Sequence, residues 1–196
     1  MKTLIRKAEV VVTMDGTRRE IAGGDVLIDG GVILAVGQDL AGEGAEIIEA
    51  RGCVVTPGLV NTHHHLFQTL TRAVPAAQDA ALFGWLRTLY PIWGRMTPGD
   101  IRLSAQIGLA ELALSGCTCS SDHLYLFPNG ARLDDSIEAA AEIGIRFHAT
   151  RGAMSIGESK GGLPPDALVE SEPAILKDSE RLIAAFHDPN PCLLYT

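Results

Sequence analysis

Pro57-Gly-Leu-Val-Asn-Thr-His-His-His-Leu-Phe-Gln68 is the stretch on which the reading of this chain turns. The β-branched residues Val54, Val55 and Thr56, then Pro57-Gly58, bracket a short apolar run that predicts a short buried strand over Gly58-Leu59-Val60. Side chains alternate along a strand, so His63 and His65 would point to one face and His64 to the other. Two imidazoles on one face can grip a single divalent ion of the zinc type. Taken alone, an HxH pair describes a polar strand end with surface histidines equally well.

Downstream, helix signals and strand signals take turns. Thr97-Pro98-Gly99-Asp100 is a helix start, with a capping threonine, a proline in the first turn and an acid three residues after the cap. That helix should stop at Gly116, and Cys117–Ser121 should follow as a strand ending in Asp122-His123. A second cycle starts at Asp134-Asp135, with Glu138 placed for a capping box, and ends at Gly144. Ile145–Thr150 is the next strand, ending in Arg151-Gly152; a Gly/Pro-rich loop to Pro165 and a helix over Ala174–His187 complete the pattern. Strand-helix alternation of this kind means parallel βα units. Between Ala73 and Arg95 lies a loop and a helix rich in aromatics, including Phe83, Trp85 and Trp93, whose commoner use is packing.

Upstream, residues 1–56 read as strands and tight turns. Asp25–Asp29 meets Val32–Val36 across Gly30-Gly31, and Glu9–Thr13, Ala45–Ala50 and Cys53–Thr56 add further strands. The totals narrow the function classes. The chain has 196 residues, 46% of them hydrophobic, and a net charge of −8 without a block of like charge, which argues against nucleic acid and anionic membrane as partners. The four cysteines form no CxxC pair, and Cys117 and Cys119 read as small buried residues rather than ligands. No segment has the uninterrupted apolar core of a signal peptide or the length to span a bilayer, so the expected compartment is the cytoplasm.

The segment Pro57–His65 closely resembles the first barrel strand of the amidohydrolase superfamily, and the likeness continues through Gln68–Arg72, Leu82–Trp93 and Ser121-Asp-His-Leu-Tyr125. It points to the branch that holds 8-oxoguanine deaminase, guanine deaminase and the triazine hydrolases. The resemblance implies an α/β chain built as part of a metal-dependent, TIM-like (β/α)8 barrel. Three to four βα units over 57–196 would be preceded by part of a small β-sandwich over 1–56. A full barrel takes about 250 residues, so the remainder is expected to be missing. Pro189–Thr196 fit the family pattern poorly, with Pro191-Cys192 a faint echo of a strand end, and truncation, a frameshift or a partial gene fragment would each explain this.

In parallel barrels the functional residues sit at the C-terminal ends of strands, which selects His63 and His65, then Asp122 and His123, then Arg151. The resemblance implies that His63 and His65 hold one divalent metal, zinc with iron as the alternative. It also implies hydrolysis of a C–N bond in a purine-like heterocycle, 8-oxoguanine foremost, with s-triazines as the alternative substrate class. Gln68, Trp85, His123 and Arg151 are the candidate substrate-binding residues. A glutamine offers donor and acceptor together and can read a lactam edge, although a backbone-bonded loop glutamine fits the same position. Arg151 has a second reading as a structural ion pair, Asp122 as a loop-ordering acceptor, and His148 is expected to be interior. No general acid/base is found; the resemblance places it, and the remaining ligands, on elements absent here. The expected partner is a small heterocycle, with the full-length protein a homo-oligomer. The reading from another class is a non-catalytic fragment, because two histidines are too few for a catalytic zinc site.

Overall fold

The computed structural model describes residues 1–188 and 194–195; the strand-end echo at Pro191-Cys192 lies outside the described residues. The chain divides into two compact units, Met1–Gly58 and Leu59–Thr196.

The first unit is built from β1 (Lys2–Arg6), β2 (Val10–Val12), β3 (Glu20–Ala22), β4 (Asp25–Asp29), β5 (Val32–Gly37), β6 (Glu46–Glu49) and β7 (Val54–Val55). They form two sheets, in the orders β5-β4-β1-β6 and β3-β2-β7. The β4–β5 hairpin turns at Gly30-Gly31 as the sequence indicates. Lys2–Arg6 and Glu20–Ala22 escaped the sequence reading: the first carries a charge at each end, and the second has three residues, too few for alternation to register. Ala8, Val11, Val26 and Ala50 make a small core. An apolar hollow of about 250 Å³, lined among others by Ile5, Val11, Val26, Ile28 and Val55, lies beside it. The carboxylate of Asp25, only 2% exposed, accepts the N–H groups of Lys7 at 2.8 Å and Leu40 at 2.9 Å, one on each oxygen.

The second unit runs β8 (Leu59–Asn61), α1 (Leu82–Trp93), α2 (Pro98–Leu114), β9 (Cys117–Leu124), α3 (Leu133–Ile143), β10 (Arg146–Arg151), α4 (Glu172–Phe186) and β11 (Leu194–Tyr195). All four strands are parallel, in the order β11-β10-β9-β8. Each helix from α2 onward sits between consecutive strands, as βα units require. Capping fixes where α2 begins: Thr97 Oγ1 accepts from the Asp100 N–H, and the Asp100 carboxylate accepts from the Thr97 N–H at 2.8 Å. Helices α2 and α3 are followed by Gly116 and Gly144 at φ +89° and +77°, the left-handed backbone that glycine adopts most readily.

Three expectations need correcting. The acid that closes the first turn of α3 is Asp135, which accepts the Arg132 N–H at 2.8 Å, because Asp135 lies three residues past the cap whereas Glu138 lies a turn further on and pairs with Arg102. Leu59 and Val60 are exposed, at 60% and 64%, because β8 is the outermost strand of its sheet. His148 is exposed too: it lies on the face of β10 opposite Phe147 and Ala149, the two that enter the helix-covered core.

The core of this unit is dense. Trp93 is fully buried against Phe67, ring centres 5.1 Å apart, and its Nε1 donates to Thr71 Oγ1 at 3.0 Å. Leu66 and Phe67, immediately after the histidines, are also fully buried, so burial of these two anchors the chain just past His65. The turn that carries them lies against α2 at Gly108, where a Cβ would come within 2.7 Å of Leu66 Cδ2 and 3.0 Å of Thr69 Oγ1.

Candidate metal and substrate site

Strand β8 ends at Asn61, before the histidines, so strand alternation does not aim them. His63–His65 form an irregular segment that enters a 3-10 turn at Leu66–Thr71. The rings of His63 and His65 nonetheless converge, with centres 5.0 Å apart and planes nearly perpendicular. The apolar pair Leu66-Phe67, buried behind them, leaves the imidazoles to project into an open cleft of about 260 Å³. Its lining is His63, His64, His65, Gln68, Thr69 and Arg72.

His65 Nδ1 lies 2.8 Å from the backbone carbonyl of His123. A carbonyl can only accept, so this nitrogen carries the proton and Nε2 keeps its lone pair for a cation. A second hydrogen bond that fixes tautomer and ring orientation is the usual support for a metal-bound histidine. The His63–His65 pair therefore fits a soft-to-borderline divalent ion as two of its donors. A catalytic zinc site normally has three protein ligands. Among the described residues, no set of three or more His, Cys, Asp or Glu side chains is placed to hold an ion.

The end of β9 fastens this segment from the side. The His123 N–H donates to the His64 carbonyl at 2.9 Å, and the Asp122 carboxylate accepts the Leu66 N–H at 2.8 Å. Asp122 is fully buried, and its other oxygen, Oδ2, has no hydrogen-bond partner among the described residues. Burial pushes its carboxyl up to about 7, against the opposing pull of the Leu66 and His123 amides. Burial, reinforced by the nearby His65, holds His123 below the ordinary imidazole range. Burial lowers His64 as well, with His65 and Arg72 adding to the effect.

Of the residues singled out from sequence, His63, His65 and Gln68 line one cleft, and the His123 ring stands 5.3 Å from that of His65. Gln68 Nε2 donates to the Tyr125 hydroxyl at 3.4 Å. Tyr125 was passed over in the sequence reading, yet its ring packs edge-on against His65 at 5.4 Å and Phe67 at 5.2 Å. Burial, with Tyr90 adding to it, pushes its phenol up to about 12, so it stays protonated and able to donate. Its signal was there: position 125 follows His123 by two, which puts both on one side of an extended segment.

Trp85 and Arg151 lie outside that cleft lining. Trp85 is half-buried and packs edge-on to Trp93, ring centres 5.3 Å apart. The Arg151 side chain is 6% exposed, and its guanidinium pairs with Glu170 at 2.7 Å and Asp178 at 3.2 Å and stacks over Phe127 at 4.5 Å. Of its two sequence-level partners, the neighbouring carboxylate is the one it meets here. Cys117 is buried and Cys119 partly so, consistent with packing.

Comparison with known proteins puts this geometry in context. A family model described as "Amidohydrolase family" matches residues 54–190. The chain is 47% identical over 190 residues to an 8-oxoguanine deaminase of Pseudomonas aeruginosa, covering 95% of this chain and 42% of that protein. It is 35% identical over 204 residues to a hydroxydechloroatrazine ethylaminohydrolase of Pseudomonas sp. strain ADP, covering 96% and 42%. Among solved structures, an atrazine chlorohydrolase of Arthrobacter aurescens TC1 complexed with zinc superposes with a TM-score of 0.90 at 34% identity, over 98% of this chain and 45% of that one. The chain thus spans under half the length of each of these relatives.

Proposed function

We propose, from the premise that the chain belongs to the amidohydrolase family, that it carries the first part of a metal-dependent aminohydrolase acting on a C–N bond of a purine-like heterocycle, 8-oxoguanine foremost. In this reading residues 1–56 contribute to a small β-sandwich, and the parallel strands β8 to β11 are one arc of a (β/α)8 barrel. The observation that carries it is the convergence of the His63 and His65 rings, with the His65 Nδ1 proton committed to the His123 carbonyl.

His63 and His65 would hold one divalent ion, zinc by likeness to the zinc-complexed chlorohydrolase. When bound, the ion supplies the positive charge that brings the pKa of water towards neutrality. Gln68 supplies recognition: its carboxamide is oriented by Tyr125 and can pair with adjacent N–H and C=O groups on the rim of an oxidised purine. His123, whose ring stands beside that of His65 just outside the cleft lining, would flank the bound substrate. Trp85 and Arg151 make their described contacts to protein, which favours supporting roles for both. The proton shuttle that hydrolysis needs is assigned to no residue of this chain. We place the protein in the cytoplasm as a homo-oligomer; among the described residues, no helix is long and apolar enough to cross a membrane.

The test is ammonia release from 8-oxoguanine by the complete gene product supplied with zinc. No turnover of any purine or triazine would defeat the reading. Preferential release of an amine or chloride from s-triazines would move the substrate to the second class, which the likeness to the ethylaminohydrolase and the chlorohydrolase favours.

A further inference from the structure

Asp122 is a buried carboxyl group whose Oδ1 is engaged and whose Oδ2 has no hydrogen-bond partner among the described residues. An unpaired polar atom shielded from water costs roughly 1–3 kcal/mol, so an aspartate held this way contributes little as a stabiliser on its own account. What it touches is informative. Three hydrogen bonds tie the end of β9 to consecutive residues of the histidine segment: the His123 N–H to the His64 carbonyl at 2.9 Å, His65 Nδ1–H to the His123 carbonyl at 2.8 Å, and the Leu66 N–H to Asp122 Oδ1 at 2.8 Å. The first two are made by the His123 main chain and need no particular residue there. The third is the only one of the three that depends on the identity of a β9 side chain, and it grips the residue directly after His65.

We propose that Asp122 is the positioning residue for the metal-facing geometry of His65. Its carboxyl fixes the Leu66 N–H, which sets the backbone of His65 at the entry to the 3-10 turn and so keeps Nδ1 on the His123 carbonyl and Nε2 towards the cleft. The inference rests on the reading of His63 and His65 as metal donors. It goes beyond that reading by naming a residue which touches neither metal nor substrate.

The experiment compares the 196-residue chain with Asp122→Asn, Asp122→Leu and His65→Ala, by three measurements. Long-range proton–nitrogen NMR reports the His65 tautomer, amide exchange reports Leu66, and calorimetric titration with Zn²⁺ reports affinity. Asp122→Leu, which keeps the bulk and removes the acceptor, should speed Leu66 exchange at least about tenfold, mix the two His65 tautomers, and weaken zinc by about 10–100-fold, the range seen when support around a ligand is removed. Asp122→Asn, which keeps an oxygen acceptor, should hold the Nδ1-protonated tautomer and stay within about threefold of wild type in zinc affinity. A folded Asp122→Leu variant with an unchanged tautomer and unchanged Leu66 exchange overturns the proposal. If that variant does not fold, the wild type decides: an unprotected Leu66 amide or an Nε2-protonated His65 in the unsubstituted chain overturns it equally. His65→Ala separates the two claims, since zinc affinity unchanged by that substitution removes the metal reading and leaves the tautomer result standing.

Discussion

Asp25 in the first unit and Asp122 in the second are both shut away from solvent, at 2% and 0% exposure, and they spend their oxygens differently. Each oxygen of Asp25 accepts a backbone N–H from a turn that would otherwise be loose, Lys7 on one side and Leu40 on the other. Asp122 Oδ1 accepts the Leu66 N–H, and Oδ2 has no hydrogen-bond partner among the described residues. A fully used buried carboxylate explains itself as scaffolding. A half-used one, next to converging imidazoles, points to demands that stability alone does not set. The same contrast separates the strand ends of the second unit, where the Arg151 charge is met by Glu170 and Asp178 while the histidines that follow β8 face an open cleft.

Four measurements would break this contrast or sharpen it. The largest effect concerns pH. The folded-state pKa of Asp122 is raised from 3.8 to about 7, so the folded chain holds a proton that the unfolded chain releases. Its contribution is fully present below 3.8, declines as the pH rises, and is gone above about 7, a span of at most about 4 kcal/mol at about 1.4 kcal/mol per unit. Urea titrations at several pH values should show that decline in the wild type and its absence in Asp122→Asn; identical profiles would erase the distinction between the two aspartates. Next, Asp25→Ala should lose about 3 kcal/mol of stability by orphaning two N–H groups, with no change in the His65 tautomer. Third, His65→Ala should weaken zinc binding at least about tenfold, roughly 1.4 kcal/mol, while losing the bond to the His123 carbonyl should lower the unfolding free energy read from urea titration by about 1 kcal/mol. Smallest, Tyr125→Phe removes the bond to Gln68 and should cost about 1 kcal/mol or less in stability. Its functional mark in the complete enzyme would be a raised KM for 8-oxoguanine with kcat little altered.

How far the sequence reached depended on what each signal reports. Cap and turn chemistry is local, so α2 was legible from Thr97, Asp100 and Gly116, and the β4–β5 hairpin from its glycine pair. The exposure of Leu59, Val60 and His148 was not, because whether a strand face is covered depends on what lies beside it. His63, His65 and Gln68 could be gathered from their neighbourhood in the chain. Asp122 was legible as a loop-ordering acceptor, but which amide it holds, and the part played by Tyr125, needed the β8–β9 pairing, which brings together residues nearly sixty positions apart. The fate of Arg151 depended on Glu170 and Asp178, two of many acids that spacing alone does not distinguish.

Gly108 shows how the site is backed as well as framed. A glycine in mid-helix gives up about 1 kcal/mol relative to alanine, and alanine there would be among the first choices of anyone stiffening α2. The added methyl would arrive 2.7 Å from Leu66 and 3.0 Å from Thr69, on the turn that directly follows His65. Crowding a filled core costs about 1–3 kcal/mol, at least what the helix would regain, so the bare backbone of Gly108 serves fold and cleft alike, and a single methyl at a residue that does not line the cleft would disturb both.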